Sequence, residues 1–303
     1  MIDQEHSSDN LPIQLSSFIG REREITEVKR LLSLSRLVTL TGAGGSGKTR
    51  LALRVAQDFA RDDSARGDDW ANHLYKDGVW WVDLAGLAHE SLVPSAVASA
   101  LGIPEVSNRP AHERLVHYLH AKHMLLVMDN CEHLITACAQ IVETCLSVCA
   151  NLKILVTSRE ALGLFGETVL QVPTLTVPDL PHSHSAESAL AYESIRLFVE
   201  RAQAVKPDFA LTEKTTPVVI QICQRLDGIP LAIELAATRV KVLTPEHILE
   251  RLADRFNLLI GGHRTALPRH QTLYATIAWS YELLPEEARL LFRRLSLFAG
   301  GFT

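Results

Sequence analysis

The chain has 303 residues, of which 47% are hydrophobic and 21% charged, with a net charge of −5 and a pI of about 6.2. Such a composition fills a core in roughly two or three domains and gives no global basic footprint for nucleic acid or an anionic membrane surface. The polar start MIDQEHSSDN lacks the apolar core of a signal peptide, and no apolar run approaches the ~20 residues of a membrane span. The expectation is a cytoplasmic protein with no membrane contact and no direct contact with nucleic acid.

Residues 1–15 read as a loose, disordered tail. GREREITEVKRLLSLS, 20–35, carries helical spacing through Ile25, Val28, Leu31 and Leu32. RLVTLTG, 36–42, is a short apolar strand; a glycine-rich turn and a strong helix over KTRLALRVAQDFA, 48–60, follow. Residues 61–78 are charged and turn-rich, the pattern of an exposed excursion. VWWVDLA, 79–85, is a buried strand, and two helical patterns lie near 91–101 and 109–121. Strand 124–129 leads into a helix over 131–149, and strands at 152–159 and 167–173 complete the alternation. A Pro/Ser/His linker, 176–188, contains a domain boundary, with His182 and His184 inside it, and everything beyond reads as helix.

Strands alternating with helices predict an α/β fold, a mostly parallel sheet covered on both faces. Ligands of such sheets bind beyond the carboxyl ends of the strands. The chemistry-bearing stretches 42–49, 129–130 and 157–159 fall at those ends. Cys131, Cys138, Cys145 and Cys149 recur on one helical face but lack a zinc-site pattern, so they read as small buried core residues.

GAGGSGKT, 42–49, fits G-x-x-x-x-G-K-[ST] between a strand and a helix. Gly42, Gly44, Gly45, Ser46 and Gly47 let backbone N–H groups turn inward around phosphate oxygens. The helix N-terminus adds its partial positive charge, and Arg50 follows in its first turn. Lys48 would supply charge to the β- and γ-phosphates, and Thr49 would complete a Mg2+ shell. Asp129 ends an apolar strand and is the second candidate metal ligand; the same position also suits a helix cap. Asn130 follows it where many ATPases place a glutamate. Its amide orients water but cannot take its proton. Glu132 suits a helix dipole at least as well as catalysis. Arg159, after Thr157 and Ser158, has the geometry to meet a γ-phosphate. In RLDGIPLAIELAA, 225–237, Gly228 ends one helix and Pro230 opens the next.

Taken in order, FIGRE (18–22), GAGGSGKT (42–49), LLVMDN (125–130), LVTSR (155–159) and GIPLA (228–232) resemble the NB-ARC type of STAND signalling ATPase. Residues 269–302 resemble the segment that follows in bacterial members, many of which are ATP-dependent transcriptional regulators. The resemblance implies a three-layer P-loop domain at 16–180, a helical domain at 187–262 and the start of a winged helix at 266–303, within which the chain stops. It further implies that Ile19 contacts adenine, that Arg21 approaches the base or ribose, that Gly228 and Pro230 close on the base, and that Arg159 is a sensor arginine. The implied ligands are ATP or ADP with Mg2+, and the implied partner is a protein or a second copy in the ATP state. The expected activity is a regulatory switch that hydrolyses ATP slowly, with catalytic candidates Lys48, Asp129, Asn130 and Arg159. A rapidly turning-over AAA-like ATPase and a nucleotide-binding fragment without independent signalling are the alternatives.

Overall fold

In a computed structural model of the chain, residues 9–61, 75–105, 109–179, 185–252 and 286–295 are described. Their contacts divide the chain into two units. One comprises Met1–Ala43 with Gly47–Pro173, and the other Gly44–Ser46 with Thr174–Thr303.

The first unit is a five-stranded parallel sheet between two layers of helix. Its strands are β1 Leu37–Thr41, β2 Val79–Asp83, β3 Met124–Asp129, β4 Leu152–Thr157 and β5 Glu167–Gln171. They lie in the order β2-β3-β4-β1-β5, every neighbouring pair parallel. Helices α1 Glu22–Leu34 and α2 Lys48–Ala60 cover one face, and α3 Val93–Ala100, α4 Ala111–Leu119 and α5 Ile135–Val148 cover the other. Alternate residues of a strand point to opposite faces. Thus Met124, Leu126 and Met128 of β3 join the core under α3–α5, while Leu125 and Val127 join the core under α1 and α2. A strand buried on both faces needs a continuous apolar run, which explains the composition MLLVMD.

Several details differ from the sequence expectations. The helix expected from 131 begins instead as a 3-10 turn, Cys131–His133, before α5 starts at Ile135. Asn130 stands ahead of it at φ 64°, a left-handed conformation that asparagine tolerates better than most residues. Tyr75, in the stretch read as an exposed excursion, is buried against Phe59 with ring centroids 5.1 Å apart; residues 62–74 lie outside the described residues. Of the presumed loose tail, residues 1–8 also lie outside them, but the next two are anchored. Asp9 bridges to Val79, and Asn10 Oδ1 accepts from Trp81 N at 2.6 Å while its Nδ2 donates to Trp81 O at 2.9 Å. All five cysteines are free and buried.

The second unit is helical among its described residues: α6 Ala186–Ala189, α7 Glu193–Val205, α8 Thr215–Arg225, α9 Pro230–Ala237, α10 Pro245–Arg251 and α11 Glu286–Leu295. Ser185 and Thr244 cap α6 and α10 through their hydroxyls. Between α8 and α9 the chain turns through two left-handed residues, Asp227 at φ 52° and Gly228 at φ 66°. Asp227 N donates to Gln224 O and Gly228 N to Cys223 O, the pairing that closes many helix C-termini. A Cβ on Gly228 would sit 2.3 Å from the Leu175 carbonyl oxygen, so only glycine fits. Pro230 then opens α9 at a position that needs no N–H donor. The expected linker histidines, and all of the expected winged-helix start except α11, lie outside the described residues.

Candidate functional site

The parallel register sets the site. Asp83 of β2 is level with Asp129 of β3, and Thr157 ends β4 beside them, so three polar side chains meet at the carboxyl edge of the sheet. The loop between β1 and α2 arrives at the same edge. Gly45 and Gly47 take φ of 80° and 92°, backbone that L side chains rarely adopt. Lys48, the first residue of α2, is buried, and its Nζ donates to the loop carbonyls of Gly42 at 2.7 Å and Ala43 at 3.1 Å.

Asp129 is 2% exposed. Its Oδ1 accepts from the Thr49 hydroxyl at 2.8 Å and from the Thr157 hydroxyl, and its Oδ2 accepts from Asn130 Nδ2 at 2.7 Å. Burial raises its pKa to about 6, against the lowering effect of the two hydroxyls; the neighbouring charges of Asp83 and Glu132 raise it further. Burial likewise lowers Lys48 to about 8, opposed by Glu132 and Asp129 and reinforced by Arg159. A buried carboxylate and a buried ammonium, each displaced against its own charge, are the signature of a site built around ions. The donor set, a carboxylate beside a hydroxyl, suits a hard cation such as Mg2+, and the lysine with the loop N–H groups suits phosphate.

Comparison with known proteins agrees with this chemistry. The NB-ARC domain family matches residues 21–162. An uncharacterized protein of Mycobacterium tuberculosis, Rv0894, is 43% identical over 288 residues, covering 95% of this chain and 67% of its own. The chain belongs to the NB-ARC family. A second M. tuberculosis protein, whose name places it provisionally among HTH-type transcriptional regulators, is 42% identical over 275 residues, 91% of this chain but only 28% of its own. The transcription activator GutR of Bacillus subtilis is 29% identical over 187 residues, 56% of this chain and 21% of its own. Among solved structures, a Walker-type ATPase of Pyrococcus abyssi aligns with 94% of this chain and 79% of its own, at 14% identity and a TM-score of 0.49.

Within this NB-ARC module the other expected site residues take varied places. Asn130 Nδ2 reaches Asp83 Oδ1 at 3.4 Å as well as Asp129, so its amide links two carboxylates, and its backbone N–H donates to Thr157 Oγ1 at 3.0 Å. Arg159 stands after β4 with its Nε 3.5 Å from Glu132 Oε1. Arg21 is buried at the start of α1, in left-handed backbone at φ 65°, and its Nη2 donates to Pro173 O at 2.9 Å. Ile19 is half-buried nearby in sequence. Arg50 Nη2 donates to Ser17 O at 2.6 Å and to Ser16 O and Oγ, holding the segment that precedes α1. Gly228 and Pro230 belong to the second unit and shape its α8–α9 turn. The sequence reading missed Asp83, whose signal was an acid closing the strand VWWVD. It also missed the way Glu167 holds the loop after Arg159, accepting from the N–H groups of Leu162 at 2.8 Å, Gly163 at 2.8 Å and Leu164 at 3.3 Å. Among the described residues, no helix is long and apolar enough to cross a membrane.

Proposed function

We propose that this NB-ARC module is an ATP/ADP-operated switch of a signalling or transcription-regulating protein, with slow hydrolysis. The observation that carries it is the buried Asp129, held by Thr49 and Thr157 beside the buried Lys48. Lys48 and the N–H groups of residues 42–49 would hold the phosphates, Thr49 and Asp129 the Mg2+, and Arg159 would face the terminal phosphate. The metal, when bound, supplies charge neutralisation for the phosphate oxygens.

Slow turnover follows from Asn130. Its amide is committed to Asp129 and Asp83 and offers no basic atom for a water proton. A positioned base is worth about 10²–10⁴-fold in rate. Relatives named as transcription regulators support the regulatory half of the proposal, with output carried by the parts of those longer proteins that this chain does not cover. Differential affinity of ADP and Mg·ATP for two domain arrangements is the physics such a switch requires.

Two measurements test this. Mass spectrometry of nucleotide released from purified protein should find retained ADP. Calorimetry should show that Lys48→Ala abolishes tight binding of both ATP and ADP; unchanged affinity would remove Lys48 from the site and the proposal with it.

A further inference from the structure

Glu132 sits in the 3-10 turn directly after β3, and its side chain is 7% exposed. One oxygen, Oε1, stands 3.5 Å from Arg159 Nε. The other, Oε2, is buried with no hydrogen-bond partner. Buried carboxylate oxygens are normally satisfied, because desolvating an anion without compensation is costly. This one is therefore held in an incomplete arrangement, and its surroundings indicate the purpose. Lys48 lies within the electrostatic reach of both members of the pair, and Asp129 within that of Glu132. So the pair stands at the phosphate-binding edge of the sheet, where two cations, Lys48 and Arg159, meet the carboxylates of Glu132, Asp129 and Asp83.

We propose that Glu132 is a positioning residue for Arg159. It holds the guanidinium in the nucleotide-free and ADP-bound site, yields it to the terminal phosphate of ATP, and so sets how strongly the module prefers ATP to ADP. This rests on the nucleotide-switch reading above. The physics is competition of two anions for one fork of donors. A phosphate oxygen brings more charge and better geometry than a carboxylate at 3.5 Å. ADP lacks the group that competes, so in that state the pair persists. Each part of Arg159's attraction to Glu132 is subtracted from ATP affinity and leaves ADP affinity untouched.

The test is calorimetry on the full chain with Mg·ADP and with the Mg complex of the β,γ-imido analogue of ATP. Glu132→Gln should raise the preference for the analogue over ADP roughly tenfold, the equivalent of one charge-assisted contact. Glu132→Asp keeps the charge but withdraws it by one methylene from a contact already at 3.5 Å; it should shift the preference in the same direction. In an Arg159→Ala background, Glu132→Gln should leave the preference unchanged. Three results would overturn the proposal: an unaltered preference in Glu132→Gln, a shift in Glu132→Gln absent from Glu132→Asp, or the same shift without Arg159. The second and third would reduce Glu132 to a general negative field. Should Glu132→Gln fail to fold by circular dichroism, Glu132→Asp decides alone. Wild-type protein that binds neither nucleotide sinks the switch reading itself, a different failure from nucleotide binding with an unmoved preference.

Discussion

Replacing Asp129 by asparagine should stabilise the nucleotide-free protein. The carboxylate is 2% exposed and faces Asp83 and Glu132. Its pKa is raised from 3.8 to about 6. At ~1.4 kcal/mol per pH unit, the ionised side chain disfavours the folded state by roughly 3 kcal/mol at pH 7. The substituted amide would keep an acceptor oxygen for the Thr49 and Thr157 hydroxyls, but its NH2 would meet the Asn130 NH2, returning ~1 kcal/mol. A net gain of about 1–2 kcal/mol remains, a rise of a few degrees in Tm. The sign with pH is specific. Because the folded-state pKa is raised, the folded state holds the proton more tightly. The penalty is therefore full above about 6 and disappears as pH falls toward 3.8. Thermal unfolding of both proteins at pH 7.5 and pH 4.5, with and without Mg·ATP, checks this. The variant should gain at pH 7.5, lose most of that gain at pH 4.5, and forfeit stabilisation by Mg·ATP. A less stable variant at pH 7.5, or a gain indifferent to pH, would refute the reasoning.

Other substitutions probe the rest of the frame. Gly228→Ala forces a Cβ to within 2.3 Å of the Leu175 carbonyl oxygen and should cost about 2–4 kcal/mol in urea unfolding; an unmoved midpoint would show the turn has room to give. Glu167→Ala strips the acceptor from three backbone N–H groups, so amide exchange at Leu162, Gly163 and Leu164 should accelerate by at least tenfold, and undiminished protection would mean another group holds the loop. Asn130→Glu removes the amide between Asp129 and Asp83 and sets a longer anion in left-handed backbone. It should lower stability by about 2 kcal/mol or more and, by supplying the base that the amide lacks, raise single-turnover hydrolysis of ATP. An unchanged rate in that variant would show that slow turnover does not rest on the missing base at position 130.

What could be read in advance was whatever is written contiguously. The strand MLLVMD, buried on both faces, and the loop GAGGSGKT declare themselves because each is defined by a run of neighbours in the chain. The Asp129 carboxyl was legible as a strand-end acid, but its partners Thr157 and Asp83 were brought there by parallel register, which no local pattern encodes. Arg50 and Arg21 show the limit most clearly. Resemblance gives Arg21 the base or ribose, and Arg50 stands in the first turn after the glycine loop, yet no local pattern encodes the distant carbonyls each also holds: those of Ser16 and Ser17 for Arg50, and that of Pro173 for Arg21. The 3-10 turn at Cys131–His133 escaped notice because its apolar spacing continues that of α5, while Asn130 breaks the backbone path just before it.

Asn10 has a consequence for anyone trimming this chain. Its side-chain amide gives Trp81 one donor and one acceptor, as a further strand would, so together with the Asp9–Val79 bridge it covers the rim of the sheet at β2. A start point moved past that residue would lay bare the backbone of VWWVD, two tryptophans included, and invite pairing between molecules. The opposite rim, β5, has no such guard among the described residues, and Phe165 and Val169 stand exposed there. Expression boundaries should therefore begin before Asp9.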